Sequence, residues 1–587
     1  MKNLSFNSIL SLILGAIVLV VCLTLNKYGI NISMSSMLAY SLSTTFLSFI
    51  LIQPYFSSKI KHILNDLDWA EITVSYYQSI PTIYKKSFWL SFLFINIAYL
   101  FHTINFMWGA LDWQAVRFDV NHTDYDNYGR FAAFTLQNLL FDGKILPVIN
   151  NLWSFLGLSA AGVLLAYYLK APKNVATYTI ITLFFSLSPY TLGWLYHTQN
   201  TLGNLMLPAL ILTAVILSQK AQNSLNRTFA YNLTSITLLV LTLGTYLGSI
   251  NFIATLIVGK IFITMLTENT SFKVASSRQL QGLANLTASI LIYIFIITLI
   301  KTNTNDRIFI SLPHSFDHFK LLFSSMITQL ITTYPFIDTS LKIAYLIIFI
   351  TAIFALIFKT ETKTAIKSLC LIPFLLISTK LSVLFNYNLT PEEFILDDFY
   401  GLNLLYSIAL IVLLKLDSIY LKRFIYALSC IVIFMSFVRI SYALKVWKFG
   451  FDAETKLAER IITRLEKMDN FNIDLKYKLL QIGSVPMRSR YYISSNNETE
   501  NNELLSLPYY LENNSSHAYN FFYQTDFISQ NSSLKLAAEN TTIRDFILNS
   551  ARPWPAKESI LITGDYIVFV LDDKSLYRAQ QYLLNNK

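Results

Sequence analysis

The side chains of this chain that could do chemistry are concentrated in one short stretch, residues 108–130. The stretch contains four aspartates, one histidine and two arginines: Asp112, Asp119, Asp124, Asp126, His122, Arg117 and Arg130. Carboxylates suit proton abstraction or metal binding. Arginines suit phosphate oxygens, because the planar guanidinium donates two parallel hydrogen bonds. The combination indicates an enzyme acting on a lipid-linked phosphate, and the simpler alternative is a solvated acidic loop that connects two helices.

The element that must position this stretch is an apolar span, Ser87–Met107, which is long enough to cross a bilayer. Such spans recur along the chain, whose mean hydropathy is +0.47, with 54% hydrophobic and 14% charged residues. About thirteen are predicted, centred near residues 16, 44, 97, 157, 185, 210, 240, 259, 292, 350, 374, 408 and 431. The composition therefore predicts a polytopic all-α membrane protein of about thirteen transmembrane helices.

Basic residues in alternate breaks between the spans fix the predicted orientation. With the N-terminus in the cytoplasm, the inner breaks carry Lys59, Lys61, Lys85, Lys86, Lys170, Lys173, Lys220, Arg227, Lys273, Arg278, Lys359, Lys363, Lys367, Lys415, Lys422 and Arg423. This pattern obeys the positive-inside rule, so the net charge of +10 is a topology signal and indicates no nucleic-acid partner. It requires that Phe229–Leu266 form two crossings, with Lys260 reaching inward. The outer-face loops are then 108–145, 302–341 and 386–400.

An odd number of spans places the tail outside the cytoplasm. We therefore divide the chain into a transmembrane domain, residues 1–440, and an extracytoplasmic α/β domain, residues 441–587. Within the tail, the pattern predicts a helix over Asp452–Met468, a strand over Tyr477–Ile482, a hairpin or a pair of strands over Ile560–Leu571 and a helix over Ser575–Leu584. No phosphate-binding glycine loop or catalytic triad occurs there, which favours a lid or an acceptor-docking module.

Few residues suggest a metal or a cofactor. His314 and His318 are one helical turn apart, but no third clear ligand accompanies them, so surface histidines are the simpler interpretation. The three cysteines lie inside apolar spans without metal-binding spacing, which predicts neither a disulfide nor a zinc site. No cofactor is expected, and the sequence leaves the need for a divalent metal open.

Several short motifs, in their order and spacing, resemble the serotype-converting O-antigen glucosyltransferases, the GtrII-type family. The motifs are Asp112-Trp113, Arg117, Gly129-Arg130, Leu146-Pro147, Ser188-Pro189-Tyr190, Thr245-Tyr246, Ala458–Arg464, Gln481–Gly483 and Trp554-Pro555. The resemblance runs from about residue 85 to the C-terminus. The chain departs from the family pattern at Leu111, where the family usually has the first acid of a pair.

The resemblance implies a GT-C-like architecture of the transmembrane domain. It also implies a sugar donor carried on polyprenyl phosphate and a polysaccharide or lipopolysaccharide acceptor, with membrane lipid around both. Asp112 is then the expected general base, with Asp119 as the reserve candidate. Arg117 and Arg130 would hold the donor phosphate, and His122, Asp124 and Asp126 would contact the substrate. The expected location is the bacterial inner membrane, with the site and the tail facing the periplasm. The alternative from another functional class is a transporter or flippase of lipid-linked sugars.

Overall fold

The computed structural model describes residues 77–105, 107, 130–133, 135, 141, 144, 146–191, 195, 198–221, 225–268, 270–300, 322, 339–359, 362–381, 399–416, 418–483, 525, 527–529 and 533–585. Over these residues the molecule is a helical bundle followed by a small mixed α/β unit. The helices of the bundle are α1 (Thr82–Ile104), α2 (Pro147–Tyr168), α3 (Val175–Ser186), α4 (Thr198–Ala221), α5 (Leu225–Thr245), α6 (Ser249–Glu268), α7 (Phe272–Ser277), α8 (Leu280–Ile300), α9 (Thr339–Lys359), α10 (Thr362–Ser378), α11 (Phe399–Leu414) and α12 (Ile419–Glu466).

The helices coincide with the predicted apolar spans. Each of the eleven predicted centres from residue 97 to residue 431 lies within a helix, and the centres at 16 and 44 lie outside the described residues. In the described part of the chain, seven helices are long and apolar enough to cross a membrane, namely α1, α2, α4, α5, α6, α8 and the first part of α12. Four shorter apolar helices, α3, α9, α10 and α11, pack among them. The chain is therefore a helical membrane protein.

Successive helices reverse direction, so the bundle has two ends. At the end we call the loop end, α1 finishes at Ile104 and α2 begins at Pro147, a residue suited to a first helical position because its nitrogen needs no partner there. At the opposite end, the lysine end, α2 finishes at Tyr168 and α6 finishes at Glu268. The described neighbours of the 108–129 stretch in sequence all lie at the loop end.

The least certain pair of predicted spans, within Phe229–Leu266, forms two helices. A tight turn of residues 246–248 separates α5 from α6, and Gly248 fits there because a Cβ would lie 2.2 Å from Cε1 of the Tyr246 ring. Each helix is long and apolar enough to cross a membrane. The prediction of two helical segments is confirmed.

The predicted domain boundary at residue 440 falls inside α12, which continues without a break for 48 residues. Its final turns are the helix predicted over Asp452–Met468, with Ile461, Ile462 and Leu465 buried as the periodicity indicates. The last span and the beginning of the tail are therefore one helix.

The tail contains a four-stranded sheet with strand order β2-β1-β4-β3. The strands are β1 (Lys478–Ile482), β2 (Ile528–Ser529), β3 (Ile560–Thr563) and β4 (Tyr566–Val570), followed by the helix Asp573–Asn585. The predicted first strand, hairpin and last helix are confirmed, and β1 additionally pairs in parallel with β4. Ser494–Ser516, predicted as a loop, lies outside the described residues.

The sheet is buried on both faces, as the alternation of its side chains requires. Ile567 and Phe569 belong to the same buried cluster as Ile461 of α12. Val568 and Val570 point to the other face, where they pack with Leu583 of the last helix. The tail thus attaches to the bundle through the end of α12, with its sheet in the middle layer.

Candidate functional site

Arg130 is the one predicted site residue that the structure describes, and it lies at the loop end. Its guanidinium carbon is 5.6 Å from the centroid of the Tyr246 ring, a cation–π distance. Arg130 is half-buried. Its contact with Tyr246 brings together two motifs from different parts of the sequence, Gly129-Arg130 and Thr245-Tyr246.

The residue after Arg130 fixes its position. Phe131 is buried against Gly244 of α5, where a Cβ would lie 2.4 Å from Cζ of the phenyl ring. The Phe131 ring also stacks on Tyr293, with ring centroids 6.1 Å apart. Glycine at position 244 is therefore required by the close approach of Phe131. The contact holds the backbone that carries Arg130 against α5 and α8.

Two buried lysines add positive charge at the loop end. Lys342, in the first turn of α9, is 4% exposed, and Lys380, directly after α10, is fully buried. Leu381, the next residue, packs against the same cluster as Phe131, which places Lys380 near the Arg130 region. Sequence reasoning missed both lysines. A signal was nevertheless present in the sequence. Both lysines lie at ends of apolar spans that are predicted to face outward, whereas the other loop lysines of the pattern belong to inner breaks.

The remaining predicted site residues lie outside the described residues. They are Asp112, Arg117, Asp119, His122, Asp124 and Asp126. The histidines His314 and His318, and residues 386–398 of the predicted outer-face loop 386–400, also lie outside the described residues. The structure places only their nearest described neighbours, which include the end of α1 and the buried Met107. Within the described ranges, no three side chains of His, Cys, Asp or Glu come together as a metal site would require.

The loop end also contains buried polar groups that find no hydrogen-bond partner in the described part of the chain. They include both ring nitrogens of His102, both amide atoms of Asn150 and of Asn151, and the hydroxyl of Tyr406. His102 is 3% exposed, and the two asparagines are fully buried. Each such group costs about 1–3 kcal/mol relative to a satisfied one. Sequence reasoning missed this set, although polar residues at the ends of apolar spans are a signal for it.

Aromatic side chains surround these polar groups. The His102 ring stacks on Trp447 of α12 at 5.2 Å, and the Tyr406 ring stacks on Tyr345 of α9 at 4.9 Å. The Tyr99 hydroxyl donates to the carbonyl of Ser186, the last residue of α3, at 3.3 Å.

The turn after α3 carries the motif Ser188-Pro189-Tyr190. The 3-10 turn Pro189–Thr191 contacts α11 and α12, and the Thr191 hydroxyl donates to the Ser188 carbonyl at 2.8 Å. The Asn403 amide of α11 donates to the carbonyl of Phe185 at 2.9 Å. The motif therefore joins three helices at the loop end.

The lysine end contains a set of polar groups that pair with one another or with a helix end. The Lys260 ammonium donates to the Tyr168 carbonyl at the C-terminus of α2, where the helix dipole favours a positive charge. The Tyr168 hydroxyl donates to Oε1 of Gln279 at 2.9 Å, and the Gln219 amide donates to the same oxygen at 3.1 Å.

Glu268 completes the lysine end. Its carboxylate lies 2.6 Å from the Lys170 ammonium and also pairs with Arg278. Lys170 and Arg278 belong to the predicted inner-loop basic residues, and Lys260 points toward them, as the predicted snorkelling requires. The cations of this end therefore have a structural explanation.

Two motifs of the tail also meet. The Arg464 guanidinium lies 4.3 Å from the centroid of the Trp554 ring and donates to the carbonyls of Pro555 and Ala556 at 3.0 and 2.9 Å. Gly483 has φ of +80°, and a Cβ there would collide with the Asp572 carboxylate. These contacts hold the α/β unit together and attach it to α12, which is a structural role.

Comparison with known proteins identifies no relative of this chain: no family model, no curated protein and no solved structure matches it.

Proposed function

We propose that this chain is a glycosyltransferase of the bacterial inner membrane. It moves a hexose, with glucose as the first candidate, from a polyprenyl-phosphate donor to a cell-surface polysaccharide such as O-antigen at the periplasmic face. The observation that carries the proposal is the half-buried Arg130, held against Tyr246 at the loop end with the buried Lys380 near it. A lipid phosphate must sit at the membrane edge, and cations at that edge are suited to bind it.

The proposed reaction is an inverting displacement. A hydroxyl oxygen of the acceptor attacks the anomeric carbon, and the bond from this carbon to the phosphate oxygen breaks. Polyprenyl phosphate leaves with the electron pair, and a carboxylate, Asp112 or in its place Asp119, takes the hydroxyl proton. Arg117 and Arg130 stabilise the charge that develops on the leaving phosphate. Asp124, Asp126 and His122 contact the acceptor.

The alternative function, a transporter or flippase, would be favoured by charged groups inside the membrane that line a pathway. Lys260 is the clearest described charge within a long apolar helix, and its bond to the Tyr168 carbonyl accounts for it structurally. The buried Lys342 and Lys380 lie at helix ends. The arrangement of these charges therefore favours a site at the membrane edge over a pathway through it.

The test is transfer of labelled glucose from polyprenyl-phosphate glucose to purified polysaccharide by the reconstituted protein. Asp112→Asn should lower turnover about 10²–10⁴-fold, the usual contribution of a positioned base. Arg130→Ala should weaken donor binding about 10–100-fold, and Arg130→Lys should recover only part of this, because lysine lacks the planar fork. The matched control is Arg278→Ala, which removes an arginine from the opposite end of the bundle.

Full transfer by Asp112→Asn and by the double variant with Asp119→Asn would contradict the assignment of the base. Movement of the donor lipid across a sealed vesicle without any transfer would replace the proposal by the flippase alternative.

A further inference from the structure

Three fully or almost fully buried polar side chains at the loop end make no hydrogen bond in the described part of the chain. They are His102 near the end of α1 and the pair Asn150 and Asn151 near the start of α2. None of their side-chain nitrogen and oxygen atoms has a hydrogen-bond partner in the described residues. Since buried polar groups in proteins are almost always paired, unpaired ones need an explanation such as a ligand.

The register of the two helices places His102 and Asn151 at the same level, and Asn150 is the neighbour of Asn151 in the chain. Tyr99 of α1 and Phe155 of α2 face each other, with ring centroids 5.2 Å apart. Because the helices run in opposite directions, His102 and Asn151 each lie about one turn nearer the loop end than this pair. They therefore share one level and the facing sides of α1 and α2.

An aromatic surface adjoins this polar group. The Trp447 ring lies parallel to the His102 ring, with an angle of 24° between the planes. Amide groups and an imidazole can both donate and accept hydrogen bonds, and none of the three side chains carries a fixed charge. Such a set suits a neutral ligand with several hydroxyls and suits a phosphate poorly.

We infer that His102, Asn150 and Asn151 form a subsite that hydrogen-bonds the hydroxyls of a hexose, with Trp447 behind the imidazole. The inference rests on the proposed function and adds the residues that recognise the sugar, which are separate from the phosphate-binding Arg130. In the structure the three side chains are covered, so the proposed subsite requires that the loop ends of α1 and α2 separate when the sugar enters. The sugar is either the hexose of the donor lipid or a residue of the acceptor.

The experiment measures how much a hexose adds to binding. Dissociation constants of the full-length protein are determined for polyprenyl-phosphate glucose and for polyprenyl phosphate alone, and their ratio is the hexose advantage of the donor arm. A second arm compares an acceptor oligosaccharide with its analogue that lacks hydroxyls. Asn151→Leu and His102→Phe should each reduce the advantage about tenfold in one of the arms, which identifies the source of the hexose. His102→Phe keeps a ring to stack on Trp447.

Asn96→Leu is the matched control, because Asn96 lies on α1 and its amide already donates to the Phe92 carbonyl at 2.7 Å. It should leave the hexose advantage unchanged. Thermal unfolding separates recognition from a structural role: Asn151→Leu removes an unpaired polar group, so its melting temperature in detergent should be equal to or above that of the wild type. A structural asparagine would give a lower melting temperature.

A wild-type hexose advantage that persists in Asn151→Leu and His102→Phe overturns the subsite and leaves the proposed function in place. Absence of any hexose advantage in the wild type, in both arms, overturns the subsite and also argues against the proposed function. Weaker binding of both lipids by Arg130→Ala, with an unchanged ratio of their dissociation constants, supports the assignment of phosphate and hexose to separate groups of residues.

Discussion

Two sets of polar groups, one at each end of the helical bundle, differ in their hydrogen bonding. At the lysine end, Lys260, Tyr168, Gln219 and Gln279 bond to one another or to a helix end. At the loop end, His102, Asn150 and Asn151 are buried to a similar degree without partners in the described residues. A fully satisfied network stabilises a fold, whereas unsatisfied groups lower its stability and persist where function needs them. The contrast distinguishes buried polar groups that stabilise the fold from buried polar groups that are candidates for binding a ligand.

The largest expected effect on stability is at the lysine end. Gln279→Leu removes the acceptor of both the Tyr168 hydroxyl and the Gln219 amide, so it should lower the free energy of unfolding by about 2–3 kcal/mol. Thermal unfolding in detergent measures this loss of stability. The variant for comparison is Asn151→Leu, a similar change at the loop end, which should leave the free energy of unfolding unchanged. Equal losses for the two variants would remove the distinction between the ends.

A matched pair of tyrosines gives a smaller and cleaner test. Tyr168→Phe removes a hydroxyl with two partners and should cost about 1–2 kcal/mol of unfolding free energy. Tyr406→Phe removes a buried hydroxyl without a described partner and keeps the ring that stacks on Tyr345, so its effect should stay within about 0.5 kcal/mol. A larger loss for Tyr406→Phe than for Tyr168→Phe would reverse the comparison.

The smallest expected effect concerns the surface of the lysine end. Glu268→Gln breaks the pairs with Lys170 and Arg278, but these side chains are 64% and 47% exposed, so the expected cost is below about 1 kcal/mol. The difference from the wild type should shrink in about 1 M salt, because exposed ion pairs are screened. A salt-independent loss above about 2 kcal/mol would show that the carboxylate belongs to the buried network.

Apolar periodicity predicted the helices of this chain well, because a bilayer admits few other structures. It placed a helix at every described centre, including the pair α5 and α6. It did not predict that α12 would continue past residue 440, because the change from apolar to polar composition marks the membrane edge and leaves the backbone helical. The strands of the tail were predicted from alternation, whereas the parallel pairing of β1 with β4 depends on contacts distant in sequence.

The candidate site was less accessible to sequence reasoning. Arg130 was selected for its chemistry, and its partner Tyr246 was singled out only as part of a motif, because the two are 116 residues apart in the sequence numbering. Lys380 and Asn151 were not selected. The sequence pattern around a lysine or an asparagine at the end of an apolar span is the same whether the side chain faces solvent or is enclosed by other helices. Burial, and with it the cost of an unpaired group, is a property of the assembled bundle.

The continuous helix α12 has a mechanical consequence. Its 48 residues extend about 72 Å, more than twice the thickness of about 30 Å of a hydrocarbon core. It contacts His102 through Trp447 on its way out of the bundle and then packs against the sheet of the tail through Ile461. No loop interrupts the helix between these two contacts, so a tilt at one contact is transmitted to the other. If the helix tilts by about 10° at the bundle, a point that lies about 30 Å farther along its axis is displaced by about 5 Å. The α/β unit is therefore joined to the loop end of the bundle by one continuous helix.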